Sequence, residues 1–412
     1  MSGFTRRGLV AGAGGTLALG AVGGFAARGY AGSEDAVDGV DQIDLTGSHE
    51  FYTGAHQVGV DTAPQRYLVY MTFDLAGTAS RTDLQVLLAR WSASIAQMMK
   101  GLPVGSVDPD RSDAVPIDTG EAYELEPASL TVTVGLGPGV FTDQFGLTAM
   151  APRRLAELPT LPSDALQDRL TGGDLSLQAC ADDPQVAYHA IRDLTRIARG
   201  TATTRWVVMG FGRASAGRNQ ATPRNLMGFK DGTRNVVDDV DLDQFVWCDD
   251  DVDWMAGGTY QVARKIAMDI EIWDTATIGT QHQTFGRDKA EGAPLGASGE
   301  HDTPDFTATD ADGALVIPAT SHVALAAPEN NDGVKILRRG YNYTDGLNDL
   351  GLLDAGLIFL SYQKDPEQFV RIQRRLGGSD QLNEYITHIG SAVFAIPPAP
   401  EQGHYIGEAL FA

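Results

Sequence analysis

From residue 66 onward the chain switches between two hydrophobic rhythms. "RYLVYMTF" (66–73) is an apolar run of strand length, as expected for a buried strand. Over residues 80–100 the period changes. Leu84, Leu87, Leu88, Trp91, Ile95 and Met98 recur at intervals of three and four, which predicts an amphipathic helix. "LTVTVGL" (130–136) and "LSLQAC" (175–180) return to strand spacing. A second helix is expected over 184–199, with Asp183 placed to cap it, Pro184 suited to its first turn and Gly200 available to end it. "RWVVMGFG" (205–212) reads as a strand. Two successive β-α-β patterns predict an α+β fold: an antiparallel sheet with helices on one face.

The second half repeats the theme with longer loops. "TYQVARKIAMDIEIW" (259–273) alternates through Ile266, Met268, Ile270 and Ile272 and reads as one strand. A Gly/Asp/Pro-rich stretch over 286–318 has no period. Strands are then expected at "SHVALAA" (321–327), "VKILRRGYNY" (334–343), "GLIFLSY" (356–362) and "AVFAIPP" (392–398), with a helix over 366–376. These patterns place a boundary near 215–225 between two related α+β halves, 32–220 and 221–412.

The first 31 residues break both rhythms. Arg6 and Arg7 precede a Gly/Ala/Leu/Val run that ends in small residues near Ala31. This is the layout of a twin-arginine signal peptide. That export route carries folded proteins, often with a cofactor already inside. The chain is therefore expected in the periplasm, outside the cell or on its surface. A formal net charge of −23 argues against nucleic acid or anionic lipid as a partner. Cys180 and Cys248 are the only cysteines, so a disulfide framework is excluded and the core must supply the stability. Cys180 closes an apolar run and reads as a buried thiol.

Eight histidines are spread along the sequence with no H-E-x-x-H and no zinc-type Cys/His spacing. There is no G-x-S-x-G elbow, no strand-G-x-G-x-x-G-helix and no P-loop. His189 falls on the polar side of the second helix and reads as a surface or second-layer residue. His322 and His388 adjoin apolar strands. A histidine there is either a satisfied core residue or a ligand. "GFKDGT" (228–233) is a turn by its Asp-Gly pair, and its two glycines would let the backbone approach a flat ligand closely.

Several segments decide among these readings together. "GFKDGTRN" resembles the G-x-x-D-G signature of dye-decolorizing peroxidases. "GGDLSLQACADDPQVAYHAIRDLTRIARG", "WMAGGTYQVARKIAMDIEIW", "FGRDKAEGAPLG", "SHVALAAP", "LRRGYNY" and "GLLDAGLIFLSYQKDP" resemble that family in the same order, from about residue 45 to the end of the sequence. The likeness is to its exported branch, which includes deferrochelatase-type proteins. It implies two ferredoxin-like halves in a dimeric α+β barrel, with antiparallel sheets and peripheral helices. It implies one haem b per chain, hydrogen peroxide and an organic electron donor as substrates, and a homodimer as the expected assembly.

Carried over by position, His322 matches the proximal iron ligand and Asp231 the distal acid. Arg338 matches the distal arginine, with Arg339 the fallback. Glu384 aligns with the acid that accepts the proximal histidine's other N–H. Arg287 matches a haem-propionate contact, and Arg234 and Asn235 are candidates to line the cofactor. Gly340 stands where one branch has an asparagine, so that residue's role does not transfer.

The chemistry is consistent with these types. One imidazole on iron leaves the opposite face open, and an acid behind it strengthens its donation. A distal carboxylate can carry a proton between peroxide oxygens, and a guanidinium can stabilise charge on the leaving oxygen. Free aspartate has a pKa of about 3.9, which predicts turnover that peaks below neutral pH. The competing expectation is a haem-binding, deferrochelatase-like component of iron uptake. A secreted α+β domain without a cofactor is the third.

Overall fold

The computed structural model describes residues 43–212, 222–249 and 252–412, and residues 41–412 form one compact unit. The expected leader and much of the expected boundary region lie outside the described residues.

The first half contains β1 (Tyr67–Leu75), α1 (Arg81–Met98), β2 (Thr131–Leu136), β3 (Leu175–Ala181), α2 (Pro184–Ile197) and β4 (Ala202–Phe211). Ser80 caps α1 through a reciprocal capping box with Asp83, and the predicted stripe from Leu84 to Met98 is buried. Asp183 caps α2 by accepting Gln185 and Val186 N–H, with Pro184 in its first turn. The four strands are ordered β2-β3-β1-β4, all antiparallel.

The second half contains α3 (Asp239–Phe245), β5 (Thr259–Met268), α4 (Ile270–Thr275), α5 (Ile278–Phe285), α6 (His322–Ala326), β6 (Leu337–Arg338), β7 (Tyr341–Leu347), β8 (Leu353–Gln363), α7 (Pro366–Ser379) and β9 (Ile386–Ile396). Its strands are ordered β9-β5-β8-β7, with β6 also on β8. Both halves therefore thread their strands in the same order. Two thin seams join them: Leu136 opposite Ala395, and Gly210 and Phe211 opposite Tyr343 and Asn342. With β5 bonded to both β8 and β9, eight strands close into an antiparallel barrel.

Alternate residues of nearly every strand meet inside. Tyr70, Cys180, Trp206, Tyr341, Tyr362 and Phe394 are in that buried cluster. Helices α1 and α2 cover the outer face of the first sheet, and α7 packs on Val262 and Val393 of the second. Cys180 and Cys248 are both buried.

Three expected strands differ. "VKILRRGYNY" is broken, with β6 at Leu337–Arg338 and β7 starting at Tyr341. The run 259–273 ends as a strand at Met268, and Ile270 and Ile272 belong to α4. "SHVALAA" is a helix, not a strand: Ser321 caps it, accepting the Ala324 N–H, and Pro328 follows its end. Alanine favours helix, and Ser followed three residues before Ala324 is an ordinary N-cap.

Candidate active site

A large cavity opens between the outer face of the second sheet, α6, α7 and the 222–238 loop. It contains about 1640 Å³ of empty space, including its open mouth. Met268, Phe285, Ile336, Leu357 and Phe359 make much of its wall apolar.

His322 enters this cavity from the first residue of α6. Its side chain is 32% exposed, and Nδ1 lies 2.7 Å from Asp380 Oδ2. Burial alone would lower the imidazole's pKa, but the charge and hydrogen bond of Asp380 outweigh it and raise the value. Asp380 joins α7 to the following turn, where its other oxygen accepts the Leu382 N–H at 2.9 Å. The carboxylate is thus fixed before it meets the ring. This corrects the expectation for Glu384, which lies one turn later and is exposed. On the other side Phe285 approaches the His322 ring edge-on, at 6.1 Å between centroids.

Asp231 faces the same cavity from the loop that follows the Asn225–Phe229 turn. Asn225 Oδ1 accepts the N–H groups of Met227 and Phe229, and Gly228 has φ +85°. The turn reading of "GFKDGT" holds, and the turn carries Asp231 to the cavity. The Asp231 N–H is held by Pro223 O at 2.8 Å. Glu300 clamps the loop from outside, accepting from Lys230 Nζ at 2.5 Å, from Thr233 Oγ1 at 2.9 Å and from Thr222.

Arg338 reaches Asp231 Oδ1 with Nη1 at 3.2 Å and Thr233 O with Nη2 at 3.0 Å. Asn235 does not line the cavity. Its amide pairs with the Arg338 backbone, donating to O and accepting from N at 2.8 Å each, so it positions the arginine. Arg339 points the other way, into the barrel, where it donates to Thr62 O and to Gln65 Oε1. Strand alternation separates the two neighbours.

Arg234 and Arg287 also line the cavity. Arg234 pairs with Glu329 at 2.6 Å. Arg287 is buried and donates to the carbonyls of Gly292 and Glu300. Burial, then the nearby Arg234 and Arg338 charges, lower its pKa. An apolar slot with a histidine on one wall and several guanidiniums at its rim fits a flat, hydrophobic dianion such as haem. His388 lies deeper, between Arg264 and Gln373. Burial and then Arg264 hold it at about 3, a neutral imidazole.

The model for the C-terminal part of Dyp-type peroxidases matches residues 222–401, and that for the N-terminal part matches residues 57–212. The chain belongs to the Dyp-type peroxidase family. Members of this family are peroxide-dependent oxidoreductases. A deferrochelatase of Yersinia pseudotuberculosis is 36% identical over 413 residues, spanning 96% of this chain and 93% of its own. DtpA from Streptomyces lividans, solved as an oxyferrous/water mixed complex, superposes with a TM-score of 0.84 at 37% identity, covering 89% of this chain and 99% of that one. A DyP-type peroxidase from Streptomyces coelicolor gives 0.83 and 37%, covering 89% and 98%. This Dyp-type chain therefore shares both fold and length with its relatives. Asp380 and the Glu300 clamp went unseen in its sequence because both depend on contacts distant along the chain.

Proposed function

We propose that this Dyp-type peroxidase binds haem b in the described cavity, reduces hydrogen peroxide and oxidises dyes or phenols. The observation that carries the reading is the convergence of an Asp380-supported His322 and an Asp231–Arg338 pair on one apolar cavity. Bound haem would supply the redox chemistry, accepting electrons from the donor and passing them to peroxide. His322 Nε2 is the atom available to hold the iron, since Nδ1 is engaged by Asp380. Asp231 takes the proton from one peroxide oxygen and returns it to the other. Arg338 stabilises negative charge on the departing oxygen and keeps Asp231 oriented. Arg234 and Arg287, which line the same cavity, would meet the propionates.

Stopped-flow reaction of the haem-loaded protein with peroxide tests the distal roles. Asp231→Asn should slow the peroxide reaction by about 10²-fold or more while leaving haem content unchanged. His322→Ala should instead alter the Soret spectrum. Wild-type kinetics in Asp231→Asn would remove Asp231 from the mechanism. Dye turnover should peak below pH 7, and a maximum above it would count against a carboxylate proton carrier.

The names of the relatives favour a second reading, haem-iron release in iron uptake. Porphyrin fluorescence appearing from bound haem under reducing conditions would support it. Export by the twin-arginine route and homodimer formation complete the proposal. They rest on Arg6, Arg7 and the apolar run after them, and on family resemblance.

A further inference from the structure

Residues 99–130 run from α1 to β2 without helix or strand. Connections this long are uncommon unless something secures them. This one meets α2 at a cluster of ionisable side chains remote in sequence from the haem cavity. His189 was expected at the surface or in a second layer. Its side chain is 7% exposed, and those of Asp118 and Asp193 are 1% exposed.

His189 Nε2 faces Asp118 Oδ2 at 3.6 Å and Asp193 Oδ2 at 3.5 Å. Both separations exceed an ordinary hydrogen bond. They suit a shared cation: ligand atoms about 2.1 Å from a tetrahedral metal lie about 3.4 Å apart. The other ring nitrogen, Nδ1, lies 3.3 Å from Glu121 Oε2. Thr119 Oγ1 is 3.4 Å from the same nitrogen. A carboxylate behind Nδ1 favours the tautomer whose Nε2 lone pair points at the two aspartates, as behind metal-bound histidines.

The remaining charges leave room for a cation. Arg192 meets Glu121 Oε1 at 3.0 Å, and Arg196 meets Asp193 Oδ1 at 3.4 Å. Asp118 Oδ2 accepts the Val104 N–H at 2.9 Å, and Thr119 N–H reaches Asp193 Oδ2 at 3.5 Å. Two arginines against three carboxylates leave one net negative charge around the imidazole. A small cavity lined by Leu102, Pro103, Tyr123 and Val186 reaches Asp118 and His189, which provides a route in.

We propose that Asp118, His189 and Asp193 bind a first-row divalent cation of the zinc type, which pins the 99–130 excursion to α2. An imidazole with two carboxylates is a donor set such ions accept. Haem-loaded protein, treated with EDTA and dialysed, should retain one zinc per chain after incubation with Zn(II) and gel filtration, counted by mass spectrometry. His189→Gln and Asp193→Asn should lower zinc affinity at least tenfold and abolish the zinc-dependent rise in Tm, while peroxide turnover stays unchanged. Absence of bound zinc in the wild type, or equal retention in the variants, overturns the proposal. Anomalous scattering at the zinc edge from wild-type crystals decides the matter even if the variants do not fold. A peak beside His189 Nε2 supports the site, and its absence there refutes it.

Discussion

Asp380 shows how a single side chain can be tied to two jobs. One oxygen caps the turn after α7 and the other faces His322. Its position is therefore set by folding before any ligand arrives. Asp380→Asn keeps the shape but loses the charge. In the haem-loaded protein it should move the iron reduction potential to more positive values and cut peroxidase turnover about 10–100-fold, measured by spectroelectrochemistry and initial rates. Glu384→Gln should leave both unchanged, and a reversed pattern would restore Glu384 to the role. At this scale Asp231, His322 and Arg338 were legible because short motifs surround them. Asp380 was not, because its value depends on where α7 ends. Arg287 and Asn235 were legible as neighbours of the site, but the structure gives both strong backbone-holding contacts.

Period alone placed α1, α2, β1, β2 and β3 because each is either uniformly apolar or cleanly striped. It failed at α6 and at the end of β5. Five or six apolar residues fit either a short strand or a helical turn, and only the Ser321 cap and Pro328 separate the two at α6. The closure of the second sheet depends on a similarly local detail. A Cβ at Gly356 would strike the Ile266 carbonyl across the β5–β8 pairing. Backbone cannot yield there without breaking the pairing beside the irregularity at Lys265 and Ile266. Gly356→Ala is expected to destabilise the protein by about 1–3 kcal/mol, seen as a lowered midpoint in chemical denaturation. An unchanged midpoint would show that the strands separate there at no cost.

For the molecule as a whole, acid resistance should be limited by the clamp on the distal loop. Burial raises the Glu300 pKa, but hydrogen bonds from Lys230, Thr222 and Thr233 outweigh it and hold the value at about 2, below its usual 4.5. Its stabilising contribution is complete above the unfolded value and disappears as pH falls from there toward 2. The difference in Tm between wild type and Glu300→Gln should be constant near neutrality and shrink across that interval. A difference independent of pH would mean that the carboxylate's charge is irrelevant to the clamp.

The described residues that line the cavity all come after residue 224, so none of them belongs to the first half. Yet Arg338 and Arg339 are consecutive, one beside Asp231 and the other bonded to Thr62 and Gln65 of the first half. The rivet between the halves thus sits one peptide bond from the guanidinium paired with Asp231. Variation in the first half that never approaches the cofactor still has a direct mechanical line to the chemistry.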